Sequence, residues 1–166
     1  MFDAVLFDLF TALLDSQPLW REVAGSAAVG ARWREECSRL AYSAGPYRES
    51  VQIGVVTNCS EELGQRAAAR VGVHFDTVGT AEAAGAYKPR PEPYRLALDR
   101  LGVEPSRALF VAGSPADITG AAGAGMRVWW HNRLQLPLGE RQAPLAEHDS
   151  LEPLLTLAIE RDLLHR

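Results

Sequence analysis

The chain has 166 residues, 47% of them apolar and 23% charged, a balance suited to one globular domain with a core of its own. A net charge of −4 with no run of Lys or Arg argues against nucleic acid or an anionic membrane surface as partner. Apolar stretches stay short of the roughly 18 residues a membrane span needs, and two cysteines, Cys37 and Cys59, lack metal-ligand spacing and a disulfide framework.

The N-terminus, MFDAVLFDLF, carries Asp3 and Asp8 and no basic leader, so it reads as a buried strand over Ala4–Phe10 and not as a signal peptide. A reduced cytoplasm is then the default location. Pro18 to Tyr42 has helical character broken by Gly25 and Gly30. Ile53–Asn58 is a second β-branched run. Ser60 is a predicted N-cap for the helix EELGQRAAARV, with acids in its first turn. A short strand lies within His74–Thr80, and Gly85 to Pro93 is a loop. Glu92–Leu101 is a helix closed by Gly102. Ala108–Ala112 is a third core strand, Pro115–Gly125 an Ala/Gly-rich helix, and Arg127–His131 another strand. Leu134–Pro144 reads as irregular and Leu151–Leu164 as an amphipathic helix.

Strands alternating with helices imply crossover connections and a mostly parallel sheet, a Rossmann-like α/β fold. Chemistry in such sheets gathers beyond the carboxyl ends of the strands. Asp8 stands at the end of the first strand, Thr57 and Asn58 at the second, and Gly113, Ser114 and then Asp117 follow the third core strand. A carboxylate such as Asp8 in an apolar run is costly unless it sits at a strand end or is paired.

Four segments in order, AVLFDLFTALLDS, GVVTNCS, YKPRPEPY and LFVAGSPADITGAAGAGM, together resemble the motifs of the haloacid dehalogenase-like hydrolase superfamily. The resemblance implies residues 1–14 and 51–166 as the α/β core and 15–50 as a helical cap insertion, shorter than a full cap. It also implies Asp8 as nucleophile, with Thr57 and Asn58, Lys88, and Asp117 in the following motifs. Phosphatases of the superfamily carry an acid two residues after the nucleophile and a metal-binding acid four residues before the last Asp. Those positions are Phe10 and Gly113 here.

An aromatic residue at Phe10 is similar to the L-2-haloacid dehalogenases, which need no metal. WRE at Trp33–Glu35 resembles their cap helix and places Arg34 at the halide-binding arginine. Tyr94, six residues after Lys88, matches their active-site tyrosine. The implied roles are catalytic for Asp8, Lys88, Asp117 and Arg34, and substrate-binding for Phe10, Thr57, Asn58, Tyr94 and Ser114. No cofactor or metal is expected, the expected partner is a small anionic organic substrate, and the resemblance allows a homodimer. Three departures stand beside the matches: Ala12 where the superfamily has threonine, and Ala112 and Ser114 where dehalogenases have Ser and Asn. A Mg²⁺-dependent phosphatase and a non-catalytic binding protein of the same fold are the alternatives.

Overall fold

The structure is a computed structural model and describes residues 2–9, 12 and 51–154. The predicted helix over Pro18–Tyr42, the cap insertion, Phe10, Arg34 and the terminal helix beyond residue 154 lie outside the described residues.

Six strands form one parallel sheet: β1 (Ala4–Asp8), β2 (Gln52–Thr57), β3 (Thr77–Thr80), β4 (Ala108–Ala112), β5 (Arg127–His131) and β6 (Ala146–His148). Their order is β3-β2-β1-β4-β5-β6. The chain therefore winds outward from β1 to β3, returns to the centre, and winds outward the other way from β4. This reversal makes the junction of β1 and β4 a topological switch point, the place where sheets of this kind bind ligands beyond the carboxyl ends of their strands.

Helices α1 (Glu61–Val71), α2 (Ala81–Ala84), α3 (Pro91–Leu101) and α4 (Pro115–Gly123) supply the connections. Ser60 caps α1 as predicted, its hydroxyl accepting from the Leu63 N–H at 3.4 Å. Gly102 ends α3 at φ 65°, a left-handed conformation that a side chain would strain.

Strand residues alternate between two cores, as the period of two requires. Leu6, Val56, Phe110, Val128 and Trp130 face α3 and α4, where Tyr94, Leu98, Ile118 and Ala121 complete the layer. Phe7, Val55, Leu109, Val111 and Trp129 face the other side with Ala67, Ala68 and Val71 of α1. All five residues of β4 are buried, because helices cover both faces of a central parallel strand. Trp129 and Trp130 are core residues.

Two short elements differ from the sequence reading. β6 arises in a stretch with no apolar alternation, and pairing with β5 (Trp129 opposite Ala146, His131 opposite His148) is what makes it a strand. Helix α2 is only four residues long, capped by the Thr80 hydroxyl, and gives no periodic signal.

Candidate active site

Asp8 is the last residue of β1, and there its side chain is 7% exposed. Its partner is the Lys88 ammonium, with Nζ 2.5 Å from Asp8 Oδ1 and 3.0 Å from Asp117 Oδ1. Lys88 comes from the loop between α2 and α3 and reaches the sheet over the ring of Phe110, whose centroid lies 5.9 Å from Nζ. Its peptide bond to Pro89 is cis. Burial alone would drive the proton off Lys88, but the two carboxylates outweigh it and hold the ammonium above its ordinary range.

Asp117 sits in the first turn of α4, the favourable end of the helix dipole for an acid. Three donors hold it: Lys88, the Tyr94 hydroxyl at 3.2 Å on Oδ1, and the Ser114 hydroxyl at 2.9 Å on Oδ2. Burial pushes its affinity for a proton up, and Asp8 adds to that; Lys88 works the other way without cancelling it. Ser114 is also the N-cap of α4, facing the Asp117 N–H at 3.4 Å. Capping and orientation are thus one geometry. Tyr94 is fully buried, edge-on to Phe110 at 5.1 Å, and burial and the nearby Asp117 push its phenol up, so its hydroxyl remains a donor.

Asn58 engages the backbone of Lys88. Its Oδ1 accepts from the Lys88 backbone N–H at 2.7 Å, and its Nδ2 donates to the Lys88 carbonyl at 3.1 Å. This two-point clasp fixes the backbone from which the ammonium projects. One amide hydrogen of Asn58 remains for another acceptor. Thr57 is fully buried at the end of β2, with its hydroxyl 3.4 Å from Cys59 Sγ. Burial raises the Cys59 thiol, which argues against a nucleophilic role for it.

Asp8, Lys88, Asp117, Tyr94, Ser114 and Asn58 therefore form one connected group. Two contributors bring no side-chain functional group. The Ala12 backbone N–H donates to Asp8 Oδ2 at 3.2 Å, a bond available to any non-proline residue. Gly120 of α4 lets three elements close: a Cβ there would lie 2.5 Å from the Tyr94 hydroxyl and 2.6 Å from the Pro89 carbonyl oxygen. A glycine inside a helix is a signal for such close approach, though not for what approaches.

A Mg²⁺ ion wants about six hard oxygen ligands in octahedral geometry. Among the described residues no group of three His, Cys, Asp or Glu side chains could hold a metal. All four oxygens of Asp8 and Asp117 already accept from Lys88, Ala12, Tyr94 or Ser114. Gly113 brings no side-chain oxygen. The described donor set does not fit the ion.

A family model described as haloacid dehalogenase-like hydrolase matches residues 47–125. The chain is 32% identical over 130 residues to (S)-2-haloacid dehalogenase 2 of Pseudomonas sp. strain CBS-3, covering 68% of this chain and 57% of that protein. It is 44% identical over 57 residues to pyrophosphatase PpaX of Bacillus velezensis, covering 34% of this chain and 26% of that protein. These matches span 26% to 57% of the relatives' own lengths. The L-2-haloacid dehalogenase of Xanthobacter autotrophicus, solved with chloropropionic acid covalently bound, shares the fold at a TM-score of 0.68 and 20% identity, over 95% of this chain and 98% of that one. With Asp8, Lys88 and Asp117 meeting at the switch point of such a sheet, the chain belongs to the haloacid dehalogenase-like hydrolase superfamily.

Proposed function

We propose that the protein is a hydrolase that uses Asp8 as a nucleophile, and that its substrate is a small 2-haloacid, attacked without a metal ion. The observation that carries this reading is the buried Lys88 ammonium between the two carboxylates, 2.5 Å from Asp8 and 3.0 Å from Asp117. A fixed positive charge in that position keeps Asp8 ionised, as a nucleophile must be. The haloacid dehalogenases among its relatives and the absence of acids at Phe10 and Gly113 support the choice of substrate.

Asp8 attacks C2 of the haloacid, and halide leaves with the bonding electrons as an ester forms. Arg34 is the sequence's candidate to meet the charge that develops on the halide. Thr57 and the remaining amide hydrogen of Asn58 are the candidates for the substrate carboxylate, and Phe10 for its apolar part. Water then attacks the ester carbonyl carbon of Asp8 while Asp117 takes its proton. The tetrahedral intermediate collapses with cleavage of the bond between the Asp8 carbonyl carbon and the ester oxygen. The departing alkoxide takes the proton of the added hydroxyl to become the 2-hydroxyacid, the Asp8 carboxylate is restored, and Asp117 returns its proton to solvent. Burial raises the proton affinity of Asp117, which suits it to that acceptance.

A Mg²⁺-dependent phosphatase is the second reading, favoured by the likeness to pyrophosphatase PpaX. Chloride release from racemic 2-chloropropionate in excess EDTA, wild type beside Asp8→Asn, separates the two. Metal-free release that vanishes in Asp8→Asn is expected. Hydrolysis of a phosphate monoester that requires Mg²⁺, with no chloride release, would replace the haloacid reading.

A further inference from the structure

His131 closes β5 with its ring buried, 1% exposed. Its Nδ1 lies 2.9 Å from the Ala12 carbonyl oxygen and its Nε2 3.2 Å from the Asp149 carbonyl oxygen. A carbonyl only accepts, so each ring nitrogen bonds its partner only while carrying hydrogen, and a neutral imidazole carries one. Burial holds His131 below the ordinary histidine range, with Arg133 acting in the same direction and the carbonyls opposing. A neutral ring gives its single hydrogen to the shorter contact, the one to Ala12.

Ala12 is also the residue whose N–H holds Oδ2 of Asp8 at 3.2 Å. The carbonyl of this residue is thus tied to β5 and its N–H to the end of β1. We propose that His131, as its Nδ1–H tautomer, is a positioning residue that fixes Ala12 and through it the second oxygen of Asp8. Lys88 secures Oδ1 and the His131–Ala12 relay secures Oδ2, so the carboxylate keeps one orientation. The relay rests on the reading of Asp8 as nucleophile for its purpose, but not for its detection.

NMR of the intact chain tests it without substrate. Long-range proton–nitrogen spectra of the wild type are expected to show Nδ1 protonated and Nε2 bare in His131. Amide exchange of Ala12 is then compared in the wild type, His131→Phe and His131→Asn, with Val56 and Val111 in the central strands as references for the folded state. With one hydrogen bond removed, His131→Phe should exchange Ala12 about fivefold faster while the references stay unchanged. His131→Asn, which keeps a donor, should recover part of the protection. An Nε2–H tautomer in the wild type overturns the proposal, and decides the matter even where a variant's reference amides exchange faster. Unchanged Ala12 exchange in a folded His131→Phe also overturns it. Failure of the wild type to release chloride would count against the haloacid reading alone, leaving the relay to these spectra.

Discussion

Replacing Lys88 by Met removes a cation that the two buried carboxylates share. The ammonium lies 2.5 Å from Asp8 and 3.0 Å from Asp117, contacts worth roughly 5–7 kcal/mol each, gross, at an effective dielectric near 20. Desolvating the three groups takes back much of that gain, so the net quantity is the cost of leaving buried charge uncompensated, about 3–5 kcal/mol. The variant has an outlet: one of the two acids can bind a proton. Folded Lys88→Met then holds more protons than its unfolded chain at mildly acidic pH, and its stability falls as pH rises. The penalty relative to wild type should therefore be small near pH 4 and full by about pH 8. The wild type has its own signature at the alkaline end. The folded-state value of Lys88 is raised, so its contribution is whole below the unfolded lysine value of 10.5 and is lost as pH climbs through the folded value. Urea denaturation of both proteins from pH 4 to 10 measures the growth of the penalty on the acid side and should find no alkaline loss of the Lys88 contribution within that range. A penalty under about 1 kcal/mol, or one independent of pH between 4 and 8, would refute the view that Lys88 balances a buried acid pair.

Tyr94→Phe deletes the 3.2 Å bond to Asp117 and leaves the ring against Phe110; a loss of about 1–3 kcal/mol by urea denaturation is expected, the range for a bond to a charged group. Gly120→Ala puts a Cβ 2.5 Å from the Tyr94 hydroxyl and 2.6 Å from the Pro89 carbonyl, and should cost about 1–3 kcal/mol by overpacking, where an ordinary exposed helix glycine gains stability from the same change. Asn58→Ala opens the clasp on the Lys88 backbone; Asn58 is exposed, so little stability should be lost, while chloride release falls about tenfold or more through the misplaced ammonium, read in kcat.

The parts of this site that the sequence exposes are those where a residue type is costly in its place. Asp8 stands out because a carboxylate closes an apolar run, and Asp117 because an acid opens a helix after a buried strand. Strands β1, β2, β4 and β5 are legible because central parallel strands are continuously apolar. Strand β6 is not, since its three residues, Ala-Glu-His, become a strand only by pairing with β5. The contribution of Ala12 is a backbone hydrogen, which no side-chain pattern encodes; the same residue reads as a departure from the superfamily's threonine. Asn58 was legible as a polar group at a strand end, but its engagement with the Lys88 peptide needs the loop's path, thirty residues away in the chain.

Charge balance among the described residues leads to the last prediction. Lys88 brings one positive charge and Asp8 and Asp117 two negative ones. A haloacid adds another negative charge and, as it reacts, sheds a halide ion. Helix termini and backbone donors soften this imbalance, but an anionic leaving group beside two buried carboxylates calls for a further cation. Arg34 is the residue the sequence offers. Arg34→Met should then lower kcat/KM for 2-chloropropionate by about 10²- to 10³-fold, the usual cost of losing a donor aimed at developing charge. Chemical denaturation of the core should not change, because the contacts of Lys88 with Asp8 and Asp117 are made without it. Were turnover untouched, the missing charge would have to come from a proton on Asp117, whose affinity for one burial already raises. The rate would then climb as pH falls, opposite to the behaviour expected of an Asp117 that must be bare to accept a proton from water.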